Sequence, residues 1–299
     1  MVYILYNPES HCACDTDSFL EKAKEIFKNK DVSVKSLMEI DNMKVFFDTL
    51  KSDDEVVLIG GDGTLNVFCN NLRGYEIKNN IYLYKGGTGN DFLRDVCKDE
   101  FDTLEIKQIN EYIENLPVVT INGKEYLFIN NVGFGIDGRV CTKAEELREN
   151  GKQSINYTTV AIKLLLTEYK PCGATVTVDG NMRRFRRVWM APVMNGLFYG
   201  GGMMPAPQQD RNSDDISCCV VHSTNALQTL MIFPSIFKGE HIKYKKKVVT
   251  LSGKEIRVEF DSPKDVQIDG ETIKDVSVIT AEKYGTLAKR DKNLLAQAK

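Results

Sequence analysis

Over the first 116 residues, short apolar runs alternate with amphipathic segments, and the hydrophobic period switches between that of a strand and that of a helix. Val2 to Tyr6 predicts a strand, and Ser18 to Lys28 a helix with Phe19, Ala23, Ile26 and Phe27 on one face. Val32 to Leu37 predicts a second strand. Val45, Phe46, Phe47 and Leu50 mark a second helix, and Val56 to Ile59 is a continuous apolar strand. Leu65 to Leu72 then reads as a helix and Ile81 to Tyr84 as a strand. Strands that are apolar on both faces and alternate with helices indicate a parallel sheet covered on both sides. The expected fold for residues 1–116 is a doubly wound α/β domain.

After Pro117 the period becomes two. Val118 to Ile121 and Glu125 to Ile129 flank Asn122-Gly123, and Thr175 to Val178 and Met182 to Met190 flank Asp179-Gly180. Both pairs carry the hairpin signature, in which two residues with positive φ match the twist of the flanking strands. Val248 to Leu251, Glu255 to Phe260, Val266 to Ile268 and Thr272 to Ile279 supply further strands, and one helical stretch near Ser154 to Thr167 interrupts them. Residues 117–284 are therefore expected to form a β-sandwich. The charged, helix-prone tail 285–299 is expected to pack back on the first domain.

Composition changes this picture little. The 299 residues carry 39 Lys and Arg against 42 Asp and Glu, a net charge of −3, which argues against nucleic acid as a partner. Ile216 to Phe237, as long as any run without a charged residue, contains too many polar side chains to span a bilayer. No export signal is legible and the eight cysteines form no CxxC pair, so they are expected to be reduced thiols in a cytoplasm. His11-Cys12-Ala13-Cys14-Asp15 lacks a second ligand cluster and reads as a loop.

The chemistry concentrates in two glycine-rich turns. Gly60-Gly61-Asp62-Gly63-Thr64 follows a buried strand and opens a helix, so its backbone N–H groups and the helix N-terminus can together cradle phosphates. Thr64 could add a hydroxyl, and Asp62 a carboxylate for a metal or a water. Lys85-Gly86-Gly87-Thr88-Gly89-Asn90-Asp91 repeats the arrangement after the next strand. Loops at the carboxyl ends of neighbouring strands meet in one crevice, so the pair describes one phosphate site. The competing reading makes these residues turn formers, with Asp62, Thr64, Asn90 or Asp91 as helix caps. Walker, protein-kinase, His-based triad and zinc-protease templates are absent. Gly133 to Gly138 matches G-x-G-x-x-G. Its preceding strand is read as part of a hairpin, and no acid follows near residue 158 for a ribose.

The segments Gly60 to Asn66 and Gly87-Thr88-Gly89-Asn90-Asp91-Phe92-Leu93-Arg94 resemble the catalytic core of the diacylglycerol kinase and sphingosine kinase superfamily, nearest its soluble bacterial lipid kinases. Asn7-Pro8-Glu9-Ser10, Asn131 to Asp137, Gly200 to Gly202 with Ala206-Pro207, and Gln267-Ile268-Asp269-Gly270-Glu271 extend the resemblance over nearly the whole chain. It implies transfer of the ATP γ-phosphoryl group to the hydroxyl of diacylglycerol or a similar lipid, with Mg²⁺, in a cleft between an α/β domain and a β-sandwich. It further implies that Asn7, Gly60, Gly61, Gly63, Thr64, Gly87, Thr88, Asn90 and Asp91 serve the nucleotide. Asp62 would lie at the metal and phosphate centre, Asp269 would act as general base, and Asp214 and Asp215 would be metal ligands. From the residues alone, Asp269-Gly270 is a third hairpin turn.

The chain departs from the family pattern at Val67, where a Glu is usual, at His11, where a Gly is usual, and at Ile216 after Asp214-Asp215. Two basic clusters, Arg183, Arg184, Arg186, Arg187 and Lys243, Lys245, Lys246, Lys247, suit either a solvated face or an anionic membrane surface. The expected partners are thus ATP, a lipid alcohol and a transient membrane contact from the cytoplasmic side, with a homodimer left open. The rival functions are an NAD kinase-like enzyme of a soluble substrate and a catalytically weakened nucleotide- or lipid-binding module.

Overall fold

The computed structural model describes residues 1–8, 16–87, 89–152 and 154–283. Thr88, the His11 to Asp15 motif, Glu9, Ser10, the Phe19 side chain and the tail 285–299 lie outside the described residues. Two compact units divide the chain, Met1–Leu116 and one that begins at Pro117.

The first unit runs β1 (Val2–Tyr6), α1 (Thr16–Ile26), β2 (Val32–Ser36), α2 (Met43–Asp48), β3 (Glu55–Gly60), α3 (Asp62–Asn71), β4 (Asn80–Lys85), α4 (Asp91–Cys97), β5 (Ile106–Gln108) and α5 (Asn110–Ile113). Its sheet has the order β2-β1-β3-β4-β5. β1, β2, β3 and β4 are parallel, whereas β5 pairs antiparallel to β4, so the sheet is mixed rather than wholly parallel. The all-apolar β3 is buried along its whole length, as a central strand covered on both faces must be. Val2, Ile4, Val57, Ile59, Tyr84 and Ala23 pack into one cluster. Ile26, expected on the same helix face as Ala23, is instead exposed at the C-terminal end of α1.

The second unit runs β6 (Val118–Ile121), β7 (Lys124–Leu127), β8 (Asn131–Phe134), α6 (Ile136–Glu149), α7 (Tyr157–Thr167), β9 (Cys172–Val178), β10 (Asn181–Val188), β11 (Val193–Met194), β12 (Ile216–Val221), α8 (Ala226–Ile232), β13 (Val248–Gly253), β14 (Glu255–Ile268) and β15 (Glu271–Glu282). The strands follow the order β13-β12-β11-β8-β14-β15-β6-β7, and β9 with β10 branches from β14. β14 takes the two predicted strands into one. Its first half pairs with β9 and its last three residues with β8, with register shifts between Glu259 and Val266. This lets the sheet fold around one core that joins Phe134, Val176, Phe185, Val220, Phe260 and Ile279. All three hairpin turns hold positive φ at both central residues: Asn122 and Gly123, Asp179 and Gly180, Asp269 and Gly270.

Two expectations for this unit need correction. The single helical stretch is joined by α6 and α8. The strand before the G-x-G-x-x-G run is also no hairpin arm: β8 pairs with β11 and β14, and α6 follows it directly. Gly138 owes its place to packing, because a Cβ there would fall 2.0 Å from the Asp265 carbonyl oxygen of β14.

Candidate active site

In the first unit, Tyr6, Ile59 and Tyr84 lie in one row across β1, β3 and β4. One residue further, the strands end together at Asn7, Gly60 and Lys85. The order 2-1-3 makes this carboxyl edge the point where the chain direction of winding reverses, the usual ligand crevice of such sheets. The two glycine turns touch there. A Cβ on Gly61 would lie 2.8 Å from the Gly87 Cα, and one on Gly87 only 2.5 Å from the Gly61 Cα. The Gly86 N–H donates to the Gly60 carbonyl at 3.2 Å. These glycines are therefore required by backbone packing on backbone. Gly63 is different: among the described residues, and leaving aside the backbone of its own helix, a Cβ there meets no atom within 4 Å. It sits in the first turn of α3, whose cap Gly61 contributes no side chain.

The acids and amides of these turns hold the frame. The Asp62 carboxylate accepts the Asp91 N–H at 2.9 Å and the Phe92 N–H at 2.8 Å, so the first loop caps the helix of the second. Asn90, at φ 49°, accepts the Gly87 N–H at 2.8 Å through Oδ1 and donates Nδ2 to the Gly87 carbonyl. Thr64 is buried against Gly60. Asp91 is buried, and its carboxylate and that of Asp62 would lie 3.5 and 3.7 Å from a Cβ on Gly89. Val67 is exposed on α3. Among the described residues no group of three or more His, Cys, Asp or Glu side chains assembles for a metal, at Asp214 and Asp215 or elsewhere. Asp62 and Asp91 thus place two carboxylates beside one backbone position, and with both Asp62 oxygens already accepting N–H groups a Mg²⁺ there would take most of its ligands from water and phosphate oxygens.

In the second unit, Asp269 occupies the turn between β14 and β15 with φ 47°. Its carboxylate accepts three consecutive backbone N–H groups: Ile129 at 2.6 Å, Asn130 at 2.8 Å and Asn131 at 3.0 Å. Its own N–H donates to the Asn131 carbonyl at 3.1 Å. The segment 129–131, the bend that leads into β8, is held by further side chains. Arg211 donates to the Ile129 carbonyl and to Asn130 Oδ1, both at 2.6 Å. Asn195 Nδ2 donates to the same Ile129 carbonyl at 2.8 Å, and Lys283 donates to Asn195 Oδ1 at 2.9 Å and to the Arg211 carbonyl at 2.6 Å. Burial and the neighbouring Arg211 lower the Lys283 ammonium to about 8. The Asn131 amide nitrogen is buried and has no acceptor among the described residues.

Sequence reasoning missed Arg211, Asn195 and Lys283, which come from three distant segments. It also quoted Asp137 without giving it a role. Asp137 opens α6, accepts the Tyr199 hydroxyl at 3.2 Å, and is pushed up to about 7 by burial. Only a count of charged residues in apolar surroundings could have flagged these positions.

Residues 1–121 match the family described as the diacylglycerol kinase catalytic domain, and residues 130–287 match the YegS C-terminal NAD kinase beta sandwich-like domain. The chain belongs to the diacylglycerol kinase and YegS-like lipid kinase superfamily. It is accordingly a kinase, a phosphotransferase. The diacylglycerol kinase of Mycobacterium tuberculosis is 27% identical over 215 residues, 70% of this chain and 68% of that one. The "Putative lipid kinase" of Staphylococcus epidermidis is 26% identical over 255 residues, 83% of this kinase and 78% of its relative. Among solved structures, "Crystal structure of a putative diacylglycerol kinase from Bacillus anthracis str. Sterne" is similar in fold, with a TM-score of 0.68 at 21% identity, covering 95% and 92% of the two chains.

Proposed function

We propose that this kinase transfers the γ-phosphoryl group of ATP to the hydroxyl of diacylglycerol or a similar lipid alcohol. The observation that carries the reading is the cage of three N–H groups around Asp269. A hairpin turn needs Asp-Gly for its backbone, yet this carboxylate is also fixed from the bend before β8 that Arg211, Asn195 and Lys283 brace. Such orientation suits a base that must accept a hydroxyl proton as the phosphoryl group arrives. Nearby, the Asn131 side-chain amide, which has no acceptor among the described residues, would donate to an oxygen of the acceptor.

The nucleotide end of the reading rests on the paired glycine turns. ATP supplies the transferable phosphoryl group, with Mg²⁺ to offset its charge. Gly63 and the N–H groups opening α3 would receive the phosphates, Gly61 and Gly87 set the close approach of the two loops, and Asp62, Asn90 and Asp91 keep that approach rigid. Asn7 stands at the rim. Thr88, outside the described residues, belongs to the same turn by sequence. Asp214 and Asp215 precede β12 and are retained as metal ligands only in this proposal.

The test uses ATP labelled at the γ-phosphate with a panel of lipid alcohols, and NAD as the soluble comparator. Asp269→Asn is expected to abolish lipid phosphorylation while nucleotide still binds. Asp179→Asn is the control, since Asp179 holds the equivalent turn and accepts the Lys254 and Glu255 N–H groups at 3.0 and 2.9 Å. Full turnover by Asp269→Asn would reduce Asp269 to a second Asp179.

A further inference from the structure

A surface helix usually turns apolar residues inward and polar ones to water, but α8 is apolar on both sides: Ala226 and Leu230 pack on the core beside Ile232, and the outer face is apolar as well. Thr229 and Ile232 face the core, while Leu227 and Met231, one turn apart, are 66% and 77% exposed. The 3₁₀ turns that follow, Phe233–Lys238 and Glu240–Lys243, continue the exposed apolar crest with Phe237 and Ile242, and Tyr244 comes next. Lys238, Lys243, Lys245 and Lys246 are interspersed with these residues along the chain, all exposed. The one acid within the segment, Glu240, is paired with Lys243 at 3.1 Å.

A second basic run joins the same corner. The Ser223 N–H donates to the carbonyls of Arg186 and Arg187 at 2.9 and 3.2 Å, and its own carbonyl accepts Lys247 Nζ at 2.5 Å. Arg183, Arg186 and Arg187 are exposed on β10, whereas Arg184 is paired with Asp261. The two clusters that lie far apart in sequence thus converge on one edge of the second unit.

We propose that α8 and the lysine-rich turn after it form a docking surface for an anionic lipid bilayer. The apolar crest enters the boundary between headgroups and acyl chains, and the exposed lysines and arginines meet the lipid phosphates. A polynucleotide would use the cations and leave the crest in water. A second copy of the chain would set like charges against each other. The proposal rests on the lipid-kinase reading in one respect, that an acceptor embedded in a bilayer must be reached there.

The experiment sediments the full chain with vesicles of phosphatidylglycerol and phosphatidylcholine, and with phosphatidylcholine alone, at low and high salt. Two double variants, L227Q/M231Q and K245Q/K246Q, alter only exposed side chains. Wild type is expected to bind the anionic vesicles. The lysine pair should lower the partition coefficient roughly thirtyfold at low salt, from the attraction typical of two surface charges. The apolar pair should lower it at least about tenfold. Phosphorylation of a short-chain diacylglycerol dispersed as monomers, measured in parallel, is expected to be unchanged in both. Wild-type partition by both variants would overturn the proposal, as would a dimer in sedimentation equilibrium that both variants dissociate. Vesicle binding lost in both variants, with no lipid phosphorylated by wild type, would support the docking surface and remove the kinase reading instead.

Discussion

Replacing Gly63 and Gly61 by alanine, one at a time, separates nucleotide binding from folding within a single loop. At Gly61 the new methyl would lie 2.8 Å from the Gly87 Cα and 3.6 Å from its nitrogen. Both are backbone atoms of a loop already held by Asn90, so neither can swing aside as a side chain would. Overpacking of this kind costs about 1–3 kcal/mol. At Gly63 the methyl meets nothing within 4 Å among the described residues outside its own helix backbone, and the residue lies in the first turn of α3. Alanine is favoured over glycine in helices by up to about 1 kcal/mol, so Gly63→Ala is expected to leave stability unchanged or raised. The same methyl would occupy the open side of the cradle, where the phosphates would approach. Nucleotide affinity is then expected to fall at least about tenfold, or about 1.4 kcal/mol. Urea unfolding gives the first quantity and calorimetric titration with a nonhydrolysable ATP analogue the second. Wild-type nucleotide affinity in Gly63→Ala would refute the assignment of this loop to phosphate binding. A wild-type unfolding midpoint for Gly61→Ala would refute the packing argument.

Further outcomes follow from the buried charges. Asp137 is raised from 3.8 to about 7 in the folded protein, so its favourable contribution is complete at low pH and disappears as pH rises through about 7. Asp137→Asn should therefore raise stability at pH 8, by up to about 4 kcal/mol, and hardly at all near pH 4; an equal effect at both pH values in denaturant titrations would contradict this. Lys283 is lowered from 10.5 to about 8, so its contribution is complete above pH 10.5 and disappears as pH falls through about 8. Lys283→Met should flatten the corresponding rise in stability between pH 8 and 10, read by urea midpoints. Arg211→Met removes two buried charge-assisted hydrogen bonds from the Ile129 to Asn131 segment, about 1.5–3 kcal/mol each. It should lower kcat with little change in the KM for ATP, and a change confined to the KM would move Arg211 out of the brace around Asp269.

Much of the fold was legible along the chain because it rests on local patterns. The fully apolar Val56 to Ile59 could only be a strand covered on both faces, and the Asn-Gly and Asp-Gly pairs could only be tight hairpins. α6 escaped notice because the period-2 strands around it suggested a β region interrupted by one helix alone, the stretch near Ser154 to Thr167. The antiparallel β5 was equally silent, since three residues carry no sign of strand direction. Of the site, the glycine turns were visible as a motif, but the division of labour within them was not. Gly61 and Gly87 are explained by each other across 26 positions, and that contact exists only once β3 and β4 lie side by side.

The sequence by itself determined the two-part architecture, the hairpin turns and the presence of two glycine-rich turns after neighbouring strands, because each depends on residues adjacent or nearly adjacent in the chain. Tertiary structure alone decided what the side chains in those elements face. It set Asp62 on the helix of the neighbouring loop. It bound Asp269 to the bend entering β8, 138 to 140 positions away, and buried Arg211 and Lys283 against that bend. It also brought two remote basic runs to one edge beside an apolar helix face. Periodicity reports the environment of a residue averaged over its own element, whereas a hydrogen bond between segments far apart in the chain is fixed only by the path between them.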